Sequence, residues 1–146
     1  MSAKIALIKA GWHNAIVGSA EASFIESLGG AAQVDVIEVP GSLEVPLIGK
    51  RCLEGEYDLA VGLGFIVNGA IYRHEFVAQA VLDGIMRVSL DTDKPFLSVV
   101  LTAMTFSEAS PENEAYFVNH MVLKGQEAAS AAKQMLALDD ALKQAA

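Results

Sequence analysis

Short apolar and β-branched runs alternate along the chain with longer segments in which apolar residues recur at helical spacing. The first pattern is typical of buried strands and the second of amphipathic helices. Their alternation favours parallel strands joined by crossover helices, and near-continuous apolar runs indicate strands covered on both faces. The predicted strands are Lys4 to Lys9, Gln33 to Val39, Leu59 to Ile66 and Phe96 to Thr102.

The helical segments differ in how clearly their apolar stripe is defined. Asn14 to Leu28 carries one stripe and ends at a Gly-Gly pair, which favours a helix C-terminus. The stripe from His74 to Leu90 is the clearest in the chain. The predicted helices are Asn14 to Leu28, Leu43 to Leu53, His74 to Leu90 and Gln126 to Gln144, and residues 104 to 122 carry no assignable pattern.

These elements predict an α/β fold with three layers, in which a four-stranded parallel sheet lies between helices on both faces. The length of 146 residues suits one domain, residues 1–146, that can bury its own core. Ligands of such sheets bind at the carboxyl ends of the strands, where the loops that lead into the helices gather. These loops are Ala10 to Asn14, Pro40 to Glu44, Val67 to His74 and Ala103 to Ser107.

The composition adds two expectations about partners. Hydrophobic residues make up 53% of the chain and the mean hydropathy is +0.38, which is high for a soluble monomer and indicates apolar surface buried between subunits. The net charge of −8, with no stripe of Lys and Arg to offset it locally, argues against nucleic acid and anionic membranes as partners.

The location expected from the sequence is cytoplasmic. Cys52 is the only cysteine, so no disulfide forms within the chain. The first residues lack the apolar core and cleavage site of a signal peptide, and no apolar stretch approaches the roughly 20 residues that cross a bilayer. No metal site is expected, because His13, His74 and His120 are too scattered for a recognisable ligand spacing.

The loop after the third strand favours a small phosphate over a nucleotide. Gly62 and Gly64 are not followed by the third glycine of a dinucleotide fingerprint, and the Gly-Lys-Ser/Thr of a P-loop is absent. From Asn68 to Arg73 the chain runs into a helix, so free backbone N–H groups, the positive helix end and a guanidinium converge. An ordinary helix start with Arg73 in solvent explains this segment equally well.

Two side chains in these loops suggest chemistry. His74 is a candidate acid and base, since histidine titrates near neutral pH, although a lone histidine more commonly has a surface or structural role. Trp12, the only tryptophan, lies in the first loop, where its flat ring could stack on a planar heterocycle. The alternative for Trp12 is a cover over the core of the domain.

Three blocks of sequence resemble one known family. Val39 to Leu47, VPGSLEVPL, resembles the family's VPGA-(F/Y)-E-(I/L)-P segment. Tyr57-Asp58 with the later Gly62 to Gly69, GLGFIVNG, is similar to its YDA strand followed by ALG-x-VI-x-G, and Lys124 to Ala129, KGQEAA, matches its KG-x-EAA helix start. The blocks keep the family order and span roughly residues 4 to 136. The family is 6,7-dimethyl-8-ribityllumazine synthase, of riboflavin biosynthesis.

The resemblance implies a flavodoxin-like fold and a transferase. Members of the family condense 5-amino-6-ribitylamino-uracil with 3,4-dihydroxy-2-butanone 4-phosphate, and phosphate and water leave. The reaction needs no cofactor, neither a metal nor a redox group. Family sites lie between neighbouring subunits of a pentamer, which agrees with the high apolar content. Two small-molecule substrates and a homo-oligomer of pentamers are therefore the expected partners.

The resemblance also assigns roles to residues by position. Trp12 matches the aromatic residue that stacks on the pyrimidine, and Lys124 matches a lysine of the last helix that faces the pyrimidine across the subunit interface. The other matches are Ser42, Leu43 and Glu44 for the ribityl chain and ring edge, Phe65, Ile66 and Val67 for the pyrimidine pocket, and Gly69, Ala70 and the adjacent Ile71 for the phosphate-binding loop.

Two departures from the family pattern bear on mechanism. The proton-transfer histidine of the common G-x-T-x-H-x-x-V pattern aligns with Arg73, and His74 lies one residue later. The arginine that usually clamps phosphate before the last helix has no clear counterpart, with Tyr116 and His120 as the nearest polar side chains. Trp12, His120 and the IYRHEFV segment resemble a second type of the enzyme from some alpha-proteobacteria, which assembles as decamers. The hypothesis is that Arg73 takes the phosphate while His74 or His120 moves protons.

Two further interpretations remain open. A scaffold of the same fold could bind or sense flavins and lumazines with weak catalysis, because an arginine replaces the usual histidine. An unrelated flavodoxin-like domain could act on another sugar phosphate.

Overall fold

The computed structural model describes residues 2–68, 73–103, 106–107 and 110–146. Within these residues, strands and helices alternate in the predicted order, and no helix combines the length and apolar character that a membrane span requires. The strands are β1 (Lys4–Ala10), β2 (Gln33–Val39), β3 (Leu59–Val67) and β4 (Phe96–Ala103). The helices are α1 (Asn14–Leu28), α2 (Val45–Glu54), α3 (His74–Thr92) and α4 (Pro111–Ala145), with a 3-10 turn, Ser42–Glu44, before α2.

The strands form one parallel sheet in the order β2-β1-β3-β4. Leu7 of β1 lies beside Val36 on one side and Val61 on the other, and Val61 lies beside Leu97. Each connection between successive strands contains a helix, because the chain must return to the same end of the sheet before the next parallel strand begins. The predicted four-stranded parallel sheet is confirmed.

Side chains alternate between the two faces of the sheet, and a pair of helices covers each face. Ile5 and Leu7 of β1 pack under α1 and α4, whereas Ala6 and Ile8 pack under α2 and α3. All four side chains are fully buried. The three-layer arrangement is therefore confirmed, and burial of both faces explains the near-continuous apolar runs.

Glycines in β3 let the start of α2 lie close to the sheet. A methyl group on Gly62 would lie 2.8 Å from Val45 Cγ1, and one on Gly64 would lie 2.5 Å from Ser42 Oγ. Both separations are shorter than van der Waals contact, so a larger residue at either position would force Val45 or Ser42 to move. The turn Ser42–Glu44 is thereby held against the carboxyl half of β3, near the end of the sheet where ligands bind.

Helix α4 begins well before the predicted start at Gln126, and that boundary is wrong. Ser110 caps the helix by accepting a hydrogen bond from the Asn113 N–H, and Pro111 occupies the first turn. The missed part is rich in aromatic and other weak helix formers, and Gly125 interrupts the apolar period. Tertiary packing overrides these preferences. Helix α4 packs closely on α1 at Gly125, where a methyl group would lie 2.7 Å from a carbonyl oxygen of α1.

The amino end of the sheet carries a closely paired polar network. Lys4 Nζ lies 2.7 Å from Glu56 Oε1 and 4.7 Å from the centre of the Tyr57 ring. The Tyr57 hydroxyl donates to Asp35 Oδ2 over 2.7 Å, and the Lys4 N–H donates to Asp58 Oδ2 over 2.8 Å. The Tyr57 hydrogen bond lowers the pKa of Asp35, and it raises the pKa of Tyr57. This amino-end network joins β1, β2 and the residues before β3.

Candidate active site

A cavity of about 690 Å³ opens at the carboxyl end of the sheet. It lies among the loops after β1 and β2, the end of β3 and the start of α3, which is where ligands of parallel sheets bind. Its volume suits a molecule of substrate or cofactor size. The described residues that line this carboxyl-end cavity are Trp12, His13, Gly41, Ser42, Leu43, Glu44, Phe65, Ile66, Val67 and Val77.

The loop after β1 forms the first wall of the cavity. The Gly11 N–H donates to the Val39 carbonyl over 2.9 Å, which ties this loop to the end of β2. Trp12 follows with 70% of its surface exposed, and its Cδ1 and Nε1 lie 3.5 Å from where a Cβ on Gly41 would be. An indole this exposed does not cover the core of the domain. Its exposed ring is available to stack on a planar ligand.

His13 has a backbone conformation that is uncommon for a residue with a side chain. It precedes α1 in the left-handed region, with φ 56° and ψ 52°. This conformation costs roughly 1–2 kcal/mol for residues other than glycine. The imidazole packs edge-to-face against Phe65 and Phe106, with ring centres 5.5 and 5.3 Å away. These aromatic contacts offset part of the backbone strain.

Behind His13 the wall continues into an aromatic cluster that reaches α4. The rings of Phe65 and Phe106 are 5.1 Å apart, and Phe117 lies 4.9 Å from Phe65 and 5.8 Å from Phe106. All three pairs are tilted or perpendicular, the geometry that aromatic rings prefer. Because Phe65 belongs to both the cavity and this cluster, packing of α4 helps to fix the cavity wall.

The 3-10 turn Ser42–Glu44 forms the opposite wall. Glu44 Oε1 lies 3.2 Å from where a Cβ on Gly41 would be, so the carboxylate stays close to the turn. A carboxylate accepts hydrogen bonds, and a hydroxyl both donates and accepts. Glu44 and Ser42 can therefore hold hydroxyl or N–H groups of a ligand.

The charges of the lining residues limit what this cavity can hold alone. None of the described lining residues is Lys or Arg, and Glu44 contributes the one carboxylate among them. In the part of the chain that the structure describes, no three His, Cys, Asp or Glu side chains are grouped to hold a metal. The cavity suits a planar ring with polar edges, while a phosphate needs a cation from beyond the lining.

The first turn of α3 supplies a cation and a histidine one turn before Val77. Arg73 is largely exposed; its guanidinium lies 5.2 Å from the Phe76 ring centre, and its Nη2 lies 3.4 Å from Glu75 Oε1. The His74 side chain is 12% exposed, and its Nδ1 lies 3.3 Å from Glu75 Oε2. This contact does not qualify as a hydrogen bond, and the buried nitrogen has no hydrogen-bond partner among the described residues.

The residues nominated from the sequence fall into three groups. Those that line the one cavity are Trp12, Ser42, Leu43, Glu44, Phe65, Ile66 and Val67. Arg73 and His74 lie at the start of α3, outside the lining. Gly69, Ala70 and Ile71 lie outside the described residues.

His120 and Lys124 lie on α4 and do not line the cavity. The His120 ring is parallel to that of Tyr116, with 6.2 Å between centres. Lys124 Nζ lies 2.9 Å from Glu127 Oε2. Both residues are partly exposed and can face a neighbouring molecule.

The sequence-based assignment omits His13, Gly41 and Val77 as lining residues. Signals for all three are present in the sequence. His13 directly follows Trp12, and Gly41 lies within the VPGSLEVPL block. Val77 follows His74 by three positions, a spacing that puts two residues on the same side of a helix.

Comparison with known proteins gives consistent matches over most of the chain. The family model described as 6,7-dimethyl-8-ribityllumazine synthase matches residues 2–140. A protein of that name from Rhodococcus erythropolis is 47% identical, over 88% of this chain and 85% of the relative. Two proteins named 6,7-dimethyl-8-ribityllumazine synthase 2 are also similar. That of Pseudomonas syringae pv. tomato is 40% identical over 86% of this chain and 76% of its own length, and that of Bradyrhizobium diazoefficiens is 38% identical over 91% and 82%.

Proposed function

Because the chain belongs to the 6,7-dimethyl-8-ribityllumazine synthase family, we propose that it is a transferase of riboflavin biosynthesis whose active site is the carboxyl-end cavity. The reaction condenses 5-amino-6-ribitylamino-uracil with 3,4-dihydroxy-2-butanone 4-phosphate and releases phosphate and water. One observation carries the choice of site. Residues nominated by the family resemblance, from the loop after β1, the turn before α2 and the end of β3, line a single cavity.

Each wall of the cavity has a role in this proposal. Trp12 stacks on the pyrimidine, with the apolar end of β3 around it. Ser42 and Glu44 receive the ribityl hydroxyls and the N–H groups of the ring edge. Holding both substrates in one cavity contributes to the rate, since it replaces an encounter in solution by a fixed geometry.

Residues at the start of α3 bind the phosphate and transfer protons in this proposal. Schiff-base formation, phosphate elimination and ring closure each move protons beside a phosphate. Arg73 takes the phosphate, because an exposed guanidinium can bind it in a bidentate manner. His74 moves protons, with Gly69, Ala70 and Ile71 completing the phosphate-binding loop.

A second subunit completes the site in this proposal. His120 and Lys124 lie away from the cavity of their own subunit, so we assign them to the cavity of a neighbour in a pentamer, with pentamers paired as decamers. Exposed apolar side chains along α3, at Leu82, Met86 and Leu90, offer surface for such contacts. The proposed location is the cytoplasm.

The first test is catalysis by the purified protein. Both substrates are mixed with the protein, and the absorbance of the lumazine is followed above the spontaneous rate. Acceleration that saturates with both substrates is the expected result. Absence of acceleration, with saturable binding of flavin or pyrimidine, would favour the scaffold or sensor, for which the arginine at position 73 is the supporting observation. Sedimentation velocity decides between pentamer, decamer and larger shell.

The second test separates the role of Arg73 from a general effect of charge. Arg73→Ala is expected to raise KM for the butanone phosphate about tenfold or more, because a charge-assisted hydrogen bond is lost, with little change in KM for the pyrimidine. The control is Arg87→Ala, on the same helix, whose exposed side chain pairs with Asp91. An unchanged KM for the butanone phosphate in Arg73→Ala would exclude this role.

Mixed oligomers test the shared site. Trp12→Ala and Lys124→Ala each weaken one contributor to the cavity. When the two variants are unfolded, mixed and refolded together, some cavities receive both native residues, and part of the activity is expected to return. No recovery in mixed oligomers of native size would contradict the shared site.

A further inference from the structure

Glu75 lies between the two residues to which the proposed function gives phosphate binding and proton transfer. Its two carboxylate oxygens face different groups. Oε1 lies 3.4 Å from Arg73 Nη2, and Oε2 lies 3.3 Å from His74 Nδ1. A single side chain is therefore within contact distance of both.

The Glu75 carboxylate is well placed to remain ionised. It lies in the first turn of α3, where the positive end of the helix stabilises negative charge. A hydrogen bond from its own backbone N–H, and then the charges of His74 and Arg73, lower its pKa. An ionised carboxylate and a phosphate oxygen are both acceptors for the same guanidinium, so Glu75 competes with a phosphate for Arg73.

His74 supplies the second half of the argument. Its Nδ1 is buried and has no hydrogen-bond partner among the described residues, an arrangement that is unfavourable for a polar atom. Glu75 Oε2 is already at 3.3 Å, so a rotation of this carboxylate would create the missing hydrogen bond. A carboxylate that accepts the Nδ1–H fixes the proton on that nitrogen and leaves Nε2 free to act as the base.

We propose that Glu75 is a positioning residue. It pairs with Arg73 until a phosphate takes its place at the guanidinium, and it then accepts a hydrogen bond from Nδ1 of His74. Binding of the phosphate thereby aligns the base that the later steps need. This inference rests on the proposed function for the roles of Arg73 and His74, and it adds a residue that couples them.

The test measures substrate binding and turnover separately. Glu75→Gln removes the charge that competes with phosphate, so KM for the butanone phosphate and Kd for inorganic phosphate are expected to fall roughly two- to fivefold. Glu75→Gln also loses the carboxylate that orients His74, so its kcat is expected to fall. In Glu75→Ala, which lacks any acceptor, kcat is expected to fall by about tenfold or more. A purely structural role would not lower KM and kcat together.

Two further variants control the experiment. Glu75→Asp keeps a carboxylate and is expected to restore part of kcat relative to Glu75→Ala. Asp83→Asn makes the same change of charge on the same helix, at an exposed carboxylate bonded to Gln79, and is expected to change neither constant. If Asp83→Asn lowered the phosphate Kd equally, net charge alone would explain the effect, and the proposal would be overturned.

A double variant identifies the competing partner. In Arg73→Ala the guanidinium is absent, so adding Glu75→Gln is expected to give no tighter binding of inorganic phosphate. Equal phosphate Kd in the native protein and Glu75→Gln, or kcat within twofold in Glu75→Ala, would overturn the proposal. If the native protein shows no turnover, the proposed function has failed, and the phosphate Kd alone then tests the role of Glu75. Tighter phosphate binding in Glu75→Gln supports competition for Arg73, and equal binding overturns the proposal.

Discussion

The two ends of the sheet hold similar side chains in different states of pairing. At the amino end, a lysine, a tyrosine and three carboxylates form a network with hydrogen bonds of 2.7 to 2.8 Å. At the carboxyl end, the contacts of Glu75 measure 3.3 and 3.4 Å, His74 Nδ1 has no hydrogen-bond partner among the described residues, and Trp12 is exposed.

This difference predicts that stability and ligand binding depend on opposite ends of the sheet. Groups at the amino end already have their partners in the free protein, so they contribute to folding. Under the proposed function, groups at the carboxyl end take their partners from a ligand or a second subunit. Substitutions at the two ends should therefore change different measurements, and variants can test the division one end at a time.

The largest effect is expected for Trp12→Ala. Loss of ring stacking, worth about 1–3 kcal/mol per base, should raise KM for the pyrimidine roughly 5- to 150-fold. The midpoint of thermal unfolding should change little, because the side chain is 70% exposed. Trp12→Phe is the control and should retain part of the affinity. A clear fall in the unfolding midpoint with an unchanged KM would show that Trp12 has a structural role and would contradict the division between the two ends of the sheet.

Two glycine substitutions sharpen the comparison next. The methyl group of Gly64→Ala would lie 2.5 Å from Ser42 Oγ and would force this side chain, which belongs to the turn that lines the cavity, to move. Overpacking of this kind costs about 1–3 kcal/mol, and here a rise in KM for the pyrimidine should accompany the loss of stability. In Gly49→Ala the methyl group would overlap the Phe96 ring, at the amino end of β4.

Gly49→Ala is therefore the matched control, since it should lower stability while KM stays near the native value. The measurements are denaturant unfolding and initial rates on both variants. Equal effects on KM would show that strain spreads through the sheet and that the two ends are not independent.

A smaller effect is expected at His13, where backbone and ring can be tested separately. His13→Ala and His13→Gly both remove the imidazole, but only alanine retains a Cβ in the left-handed conformation. The alanine variant should be less stable than the glycine variant by about 1 kcal/mol in denaturant unfolding. The two variants should share the same rise in KM, because both lose the contacts with Phe65 and Phe106. Equal stabilities would show that the left-handed conformation costs nothing here.

The smallest effect is expected for Tyr57→Phe, at the opposite end from the cavity. Loss of the hydrogen bond to Asp35 should lower the midpoint of thermal unfolding by a few degrees or less, with kcat/KM within about twofold of the native value. A large loss of activity with native stability would contradict the division between the two ends.

The same variant has a defined dependence on pH. The pKa of Asp35 is lowered in the folded protein, first by Tyr57, so its contribution is present above the ordinary carboxyl pKa of about 4 and is lost as the pH falls through the folded value. The pKa of Tyr57 is raised, so its contribution is present below about pH 10 and is lost at higher pH. The stability difference between the native protein and Tyr57→Phe should therefore be present at neutral pH and shrink in acid.

Most of the fold was predictable because burial on both faces leaves a direct mark on the sequence. The run LAVGLGFIV of β3 has no charged residue, and neither has FLSVVLTA of the neighbouring β4. The start of α4 was not predictable from the sequence. Its first turns carry aromatic side chains such as Phe117, which packs against Phe65 of β3 and Phe106 before α4. Such contacts are made only after the chain has folded.

The lining of the cavity was predictable where it comes from contiguous loops. Glu44 and the end of β3 follow from the family blocks, and Trp12 follows from its place in a loop at the carboxyl end of a parallel sheet. The left-handed backbone of His13 leaves no comparable signal, because few residues other than glycine adopt it, and the ring contact with Phe106 joins residues distant in sequence. The contacts of Glu75 depend on the angles of side chains in one helical turn and do not follow from residue order alone.

The position of the only tryptophan gives the protein a built-in optical probe. Trp12 lies at the cavity wall with most of its ring in solvent, so its fluorescence should respond to what enters the cavity. A heterocycle stacked on the indole would quench this emission, and excitation at the red edge of protein absorption would avoid the tyrosines. Titrations with substrate, product or flavin can therefore be recorded on the unlabelled protein.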